Sequence, residues 1–174
     1  KQGVADGAKA LHKKITVQTQ YIGNFTATDK AKSIAQSMYA NKADIIYQAA
    51  GNAGNGVFQE AKDYNQTLPA DKKVWVIGVD VDQSGLGNYT AKNGKKANFT
   101  LTSVLKGLNV ATKSIANDAY DNKFPGGKHL VYGLKGNGVS ITKGQLSDKA
   151  WQAVQKARTQ IIDGKINVAT KPSK

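Results

Sequence analysis

ADIIYQAAGNAGNGVFQEAKDYNQTLPADKKVWVIGVDVD, residues Ala43 to Asp82, decides the fold of this chain. An apolar run from Ile45 to Ala50 stops at a turn carrying Gly51, Gly54 and Gly56. A helical spacing follows from Asn55 to Tyr64, with Val57, Phe58 and Ala61 on its inward side, and Leu68-Pro69-Ala70-Asp71 reads as a turn. A second apolar run, Val74 to Val79, ends in the acidic residues Asp80 and Asp82. The pattern is a β-α-β unit built on two buried strands. In a parallel sheet both strand tips lie on one edge, where such folds bind ligands, so function is expected there.

Outward from this unit, Ile15 to Tyr21 alternates and is rich in β-branched residues, which predicts a strand, followed by a loop at Ile22-Gly23-Asn24-Phe25. Thr28 or Asp29 is expected to cap a helix carrying Ala31, Ile34, Ala35, Met38 and Tyr39 and ending at Asn41. On the other side, Gln83 to Lys96 is polar, glycine-rich and without period, hence a long loop of the kind that touches ligands. Ala97 to Thr102 reads as a short strand. Ser103 is expected to cap a helix bearing Val104, Leu108, Ala111 and Ile115, with Lys106 in its first turn and Pro125-Gly126-Gly127 stopping it. His129 to Gly133 and Gly138 to Thr142 predict a hairpin. Ser147 should cap a last helix with Trp151, Val154, Ile161 and Ile162, and the tail beyond Val168 is expected to be mobile. The order implies an α/β fold, a mostly parallel, right-handed sheet with helices on both faces.

Composition narrows the function. The 174 residues suffice for one domain with a real core; 40% are hydrophobic and only 3 are proline, unlike a disordered tail. No apolar run approaches the roughly 18 residues of a membrane span. No signal peptide or lipidation cysteine is read in these residues, so either a cytosolic protein or a chain without its N-terminus is expected. The opening KQGVADGAKALHKK reads as the later part of a helix without a start signal, so the chain is expected to be part of a longer one. With no cysteine there is neither disulfide nor thiol chemistry, which fits an exported bacterial protein. His12 and His129 lie outside any metal-ligand spacing, so no metal, cofactor or catalytic residue is expected. The net charge of +13 raises nucleic acid as a partner. Against it, Arg158 is the only arginine, and arginine supplies most bidentate phosphate and guanine contacts. The lysines are spread along the chain, so we expect a solvated lysine-rich surface and no nucleic-acid partner.

Candidate site residues each carry two readings. Gly51-Asn52-Ala53-Gly54-Asn55-Gly56 has the spacing G-x-x-G-x-G, neither the dinucleotide fingerprint nor a P-loop. Its glycines either shape the turn or let a ligand approach the backbone, with helix N-terminal amides facing it. Asp80 and Asp82 read as a metal site, an acid/base pair, acceptors for sugar hydroxyls, or loop and cap acceptors. Phe25 either stacks on a flat ligand ring or covers the core edge. Lys106 is either indifferent surface or placed for a ligand.

Taken together, ADIIYQAAGNAGNGVFQEAK, VWVIGVDVDQ, TLTSVLKGLNVATKSI and VYGLKGNGVSIT resemble the basic membrane protein (BMP) family, and YIGNFTATDKAKSIAQSMY and SDKAWQAVQKARTQIIDGKINV extend the resemblance over nearly the whole chain. These are substrate-binding lipoproteins of ABC transporters, similar to purine-nucleoside receptors. The resemblance implies a type I periplasmic-binding-protein fold of two α/β lobes with ligand between them. Residues 1–174 would be the C-terminal lobe and hinge-crossing segments, with the N-terminal lobe outside this chain. It implies that Phe25 stacks on a nucleobase, that Gly51 and Asn52 lie near the ribose, that Asp80 accepts from ribose hydroxyls and that Lys106 donates to the ribose. It also implies a purine nucleoside and ABC permease subunits as partners. The location it implies is the outer face of a bacterial, Gram-positive cell membrane, reached only through a lipid anchor that this chain lacks. Competing readings are a receptor for another small solute, the effector domain of a LacI-type regulator, and a nucleoside-processing enzyme using Asp80, which lacks a second catalytic partner.

Overall fold

The structure is a computed structural model and describes residues 1–169. Helix α1 (Gln2–Ala10) is followed by α2 (Thr28–Ala40), β1 (Ile45–Tyr47), α3 (Asn55–Gln66), β2 (Trp75–Asp80), β3 (Asn88–Thr90), β4 (Lys96–Asn98), β5 (Thr100–Lys106), α4 (Leu108–Tyr120), β6 (Val139–Ile141) and α5 (Asp148–Ile162). One sheet has the order β1-β2-β5-β6; β1, β2 and β5 run parallel and β6 antiparallel to β5, while β3 and β4 form a separate hairpin. The mostly parallel α/β architecture read from the sequence is present, and its centre is the β1-α3-β2 unit.

The helices form as the spacing predicts. Ala31, Ala35 and Tyr39 line the buried side of α2, and Val57, Phe58 and Ala61 that of α3. The two helices pack closely: a Cβ at Gly56 would collide with the Thr28 carbonyl. Tyr39 stacks on Tyr64 at 5.6 Å between ring centroids, and Phe99 meets Phe58 and Tyr89 at 6.1 and 5.6 Å. Asn65, fully buried on α3, receives the Val74 N–H at 2.8 Å and donates to the Val74 carbonyl at 3.0 Å, fixing where β2 begins. In β1 only alternate residues are buried, so one face of this strand is open, where the sequence predicted full burial.

Several local expectations are corrected. Ile15–Tyr21 forms no strand; its alternation is that of a strand, but its backbone finds no ladder partner among the described residues and its side chains are almost all exposed. The N-cap of α2 is Ala27, which makes no side-chain cap bond, so neither Thr28 nor Asp29 caps the helix as expected; Asn24 upstream takes the Thr26 and Ala27 amides on its side chain at 3.0 and 2.7 Å and shapes the loop before it. Ser103 does not cap a helix. The strand continues through it to Lys106 because β5 pairs with β2 as far as Leu105 and with β6 as far as Lys106, and α4 starts only after Gly107. Gly138–Thr142 contributes β6, whose partner is β5; residues 129–133 are not a strand. The long loop from Gln83 contains a 3-10 turn, Ser84–Gly87, and the β3–β4 hairpin. Ser147 caps α5 as expected, accepting the Ala150 N–H at 3.2 Å. The tail beyond Val168 falls, from Thr170 on, outside the described residues.

Candidate functional site

A cavity of about 380 Å³ opens at the carboxyl edge of the parallel strands, lined by Phe25, Tyr47, Ala49, Gly51, Val79, Asp80, Val104 and Lys106. Four candidates from separate parts of the sequence, Phe25, Gly51, Asp80 and Lys106, are thereby brought to one wall. Asn52 is not part of the lining; its side-chain oxygen accepts from the Asn55 side-chain Nδ2 at 2.8 Å inside the turn.

The loop holding Phe25 is shaped by the two bonds to Asn24 and tied to the glycine turn, where the Ala53 N–H donates to the Phe25 carbonyl at 2.8 Å. The ring is 70% exposed, so it forms a wall of the cavity and does not close the core edge. Gly51 sits at φ +55, a conformation costly for other residues, and a Cβ there would lie 3.3 Å from the ring. The backbone at Gly51 therefore lies directly beside the aromatic wall.

Asp80 is the last residue of β2 and has a positive φ of 69, unusual for a residue other than glycine. The Val81 N–H donates to the Val79 carbonyl at 2.8 Å, closing a three-residue turn around it. Its carboxylate meets the Lys106 ammonium at 2.8 Å, Lys106 being the last residue of the neighbouring β5. Lys106 therefore reaches the site from a strand end, not from the first turn of a helix as the sequence suggested. The hydrogen bond to Asp80, and then the charge of Asp80, raise the Lys106 pKa above the ordinary lysine value. With side-chain exposures of 65% for Lys106 and 42% for Asp80, the pair adds little to stability. It presents a carboxylate acceptor and an ammonium donor side by side in a cavity that Phe25 and the apolar Ala49, Val79 and Val104 also line. Asp82 takes no part: its carboxylate accepts the Ser84 N–H at 2.9 Å and starts the 3-10 turn. No group of His, Cys, Asp and Glu that could hold a metal occurs among the described residues.

The sequence reading missed Tyr47, Ala49, Val79 and Val104. For the first two the signal was there, since Tyr47 and Ala49 are the odd members of the run Ile45–Ala50 and alternation sends them to the face opposite Ile46, Gln48 and Ala50.

Comparisons with known proteins place the chain in a family. The family model Bmp, described as ABC transporter substrate-binding protein PnrA-like, matches residues 1–171. The ABC transporter nucleoside-binding protein BmpA of Lactococcus lactis is 45% identical over 170 residues, covering 98% of this chain and 48% of that protein. The chain spans about half the length of the curated relatives it matches. Among solved structures, an ABC transporter system solute-binding protein from Aeropyrum pernix K1 superposes with a TM-score of 0.75 at 21% identity, covering 98% of this chain and 52% of that one. A transcriptional activator of the comK gene from Bacillus halodurans reaches the same TM-score of 0.75 at 22% identity, covering 97% of this chain and 53% of that one. Likeness of fold therefore does not separate transporter from regulator.

Proposed function

This chain belongs to the Bmp family of PnrA-like ABC transporter substrate-binding proteins, and from that premise we propose that it forms one wall of a nucleoside-binding cleft. The observation that carries this reading is the convergence of Phe25, Gly51 and the Asp80–Lys106 pair on one cavity at the carboxyl edge of the sheet. A nucleoside is a flat aromatic base joined to a ring of hydroxyls. The base stacks on the exposed Phe25 ring, whose face suits any purine. The ribose hydroxyls donate to the Asp80 carboxylate and accept from the Lys106 ammonium, charge-assisted bonds stronger than neutral ones. Gly51 gives the sugar close access to the backbone, with Asn52 behind it in the turn.

Charge selects against a phosphorylated ligand. Lys106 is the one cation lining the cavity among the described residues, and Asp80 already neutralises it, so a phosphate would meet a carboxylate with no guanidinium to offset it. The opposite wall comes from the first lobe of a longer chain, in keeping with relatives about twice this length. Closure over the ligand then produces the form that docks on a membrane permease at the outer face of the cell, with no chemistry performed on the ligand.

Titration calorimetry of inosine, guanosine, adenosine, cytidine and ribose into the full-length protein, with this 174-residue chain alongside, tests the reading. The expected result is tight purine-nucleoside binding by the longer protein, weak binding by the chain alone, and a several-fold or greater loss with Asp80→Ala. Absence of binding to every nucleoside would remove the ligand assignment and leave the regulator reading, which shares the fold, and that of a receptor for another small solute.

A further inference from the structure

We infer that Gln83, braced by Gln48, is the positioning residue that sets the Asp80 carboxylate at the cavity. Neither glutamine lines the cavity, so both act through Asp80. The inference rests on the nucleoside reading only for what that carboxylate holds.

The need for such a device follows from where β1 ends. In the parallel ladder Ile77 faces β1, because it is paired with Tyr47 and its carbonyl accepts the Gln48 N–H at 3.4 Å. Val79, two residues on, faces the same way. β1 ends at Tyr47, opposite Ile77, so by Val79 the ladder has stopped and no strand bond receives the Val79 N–H. Gln83 supplies the missing acceptor: its side-chain oxygen takes the Val79 N–H at 2.9 Å. The same oxygen takes the Gln48 Nε2 at 2.8 Å, so one carboxamide ties the last turn of β2 to the end of β1. On the other flank the Gln83 N–H donates to the Ser103 hydroxyl of β5 at 3.1 Å. A Cβ at Gly78 would lie 2.7 Å from that hydroxyl and 2.8 Å from the Gln83 oxygen, so only glycine leaves room for the brace.

Between the two ends of the Val79–Gln83 bond lies the three-residue turn with Asp80 at φ +69. A positive φ at aspartate persists only where the surroundings over-determine it. Gln83 closes the loop from Val79 and thereby holds that φ, which swings the carboxylate towards Lys106 and the cavity. Gln48 is 3% exposed, and its side-chain nitrogen is committed to Gln83 while its oxygen has no partner among the described residues.

Hydrogen exchange and nucleoside binding on the full-length protein separate positioning from plain stability. Gln83→Met keeps the volume and removes the acceptor; Gln83→Glu keeps an acceptor oxygen. In Gln83→Met, exchange at the Val79 and Val81 amides should rise about tenfold or more while the Val76 amide, deep in β2, stays protected; Gln83→Glu should restore protection. Gln48→Leu, which leaves the Val79 bond in place, should shift the same two amides by less. In the binding arm, Gln83→Met should weaken inosine about tenfold in the native background and less than twofold when Asp80 is already alanine. Unchanged exchange at Val79 and Val81, or an equal affinity loss with and without Asp80, would overturn the inference. If the unaltered protein binds no nucleoside, the nucleoside reading fails and the exchange arm alone decides whether Gln83 positions Asp80.

Discussion

Residues 31–99 and the two flanking segments share a chain and a composition but not a core. Every buried hydrophobic side chain among the described residues lies between Ala31 and Phe99. The flanks carry helices with equally apolar stripes, yet α1, α4 and α5 contribute no buried residue. Tyr120 is 89% exposed and Val131 81%. The lesson is that periodicity records which face of an element is suited to burial, while burial itself requires a partner element within reach. The cavity lies where the two regimes meet: its glycine turn and Asp80 come from the packed unit, and its aromatic wall from the loop leading into it.

The largest effect that sharpens this contrast is expected at Phe99, fully buried against Phe58 and Tyr89. Phe99→Ala should lower unfolding stability by about 3–5 kcal/mol, read from denaturant midpoints. A cost near that of a surface change would mean that the packed unit is not the stability-determining region. Next comes Asn65, which satisfies both backbone groups of Val74 in a buried position. Asn65→Leu leaves two buried backbone groups unpaired and should cost about 2–4 kcal/mol, with the entry to β2 exchanging faster. Ser147→Ala moves the test to the flank. Loss of the bond to Ala150 should cost about 1 kcal/mol of α5 helicity. Because α5 holds no fully buried residue, the loss should appear as fraying of that helix by amide exchange while the midpoint of the packed unit stays put; a coupled shift would show that flank and core unfold together.

What could be read from the sequence follows the same division. The β1-α3-β2 unit, the helix faces of α2 and α3, and the strand-tip location of Gly51 and Asp80 were legible because each is fixed by near neighbours. Lys106 was a candidate read onto the wrong element: Ser103-Val104 reads equally as a capped helix start or as strand, and only the ladders from β2 and β6 decide. Ile15–Tyr21 has the composition of a strand without the ladder that would make it one. Gln83 read as loop because a side-chain oxygen standing in for a missing strand leaves no periodic trace. The roles of Phe25, Asp80 and Lys106 came from resemblance, since spacing alone leaves each with a structural alternative.

The smallest expected effect in this chain is the most discriminating. Tyr120 closes α4 with its ring almost wholly in solvent, so Tyr120→Ala in the 174-residue chain should change stability by no more than about 0.5 kcal/mol. Its relatives are about twice as long, and an apolar stripe on α4 is what a helix needs to pack against further structure. If the remainder of such a protein covers α4, the same substitution made there should cost several-fold more, approaching the ~3–5 kcal/mol of a buried aromatic. Denaturant unfolding of Tyr120→Ala in both contexts reads the difference directly. A large gap assigns the bare flanks to the absence of their cover, and the contrast between regions then belongs to this length of chain. Equal, near-zero costs would make the exposed stripe a property of the protein itself, and the division between a packed unit and its open flanks would stand at full length.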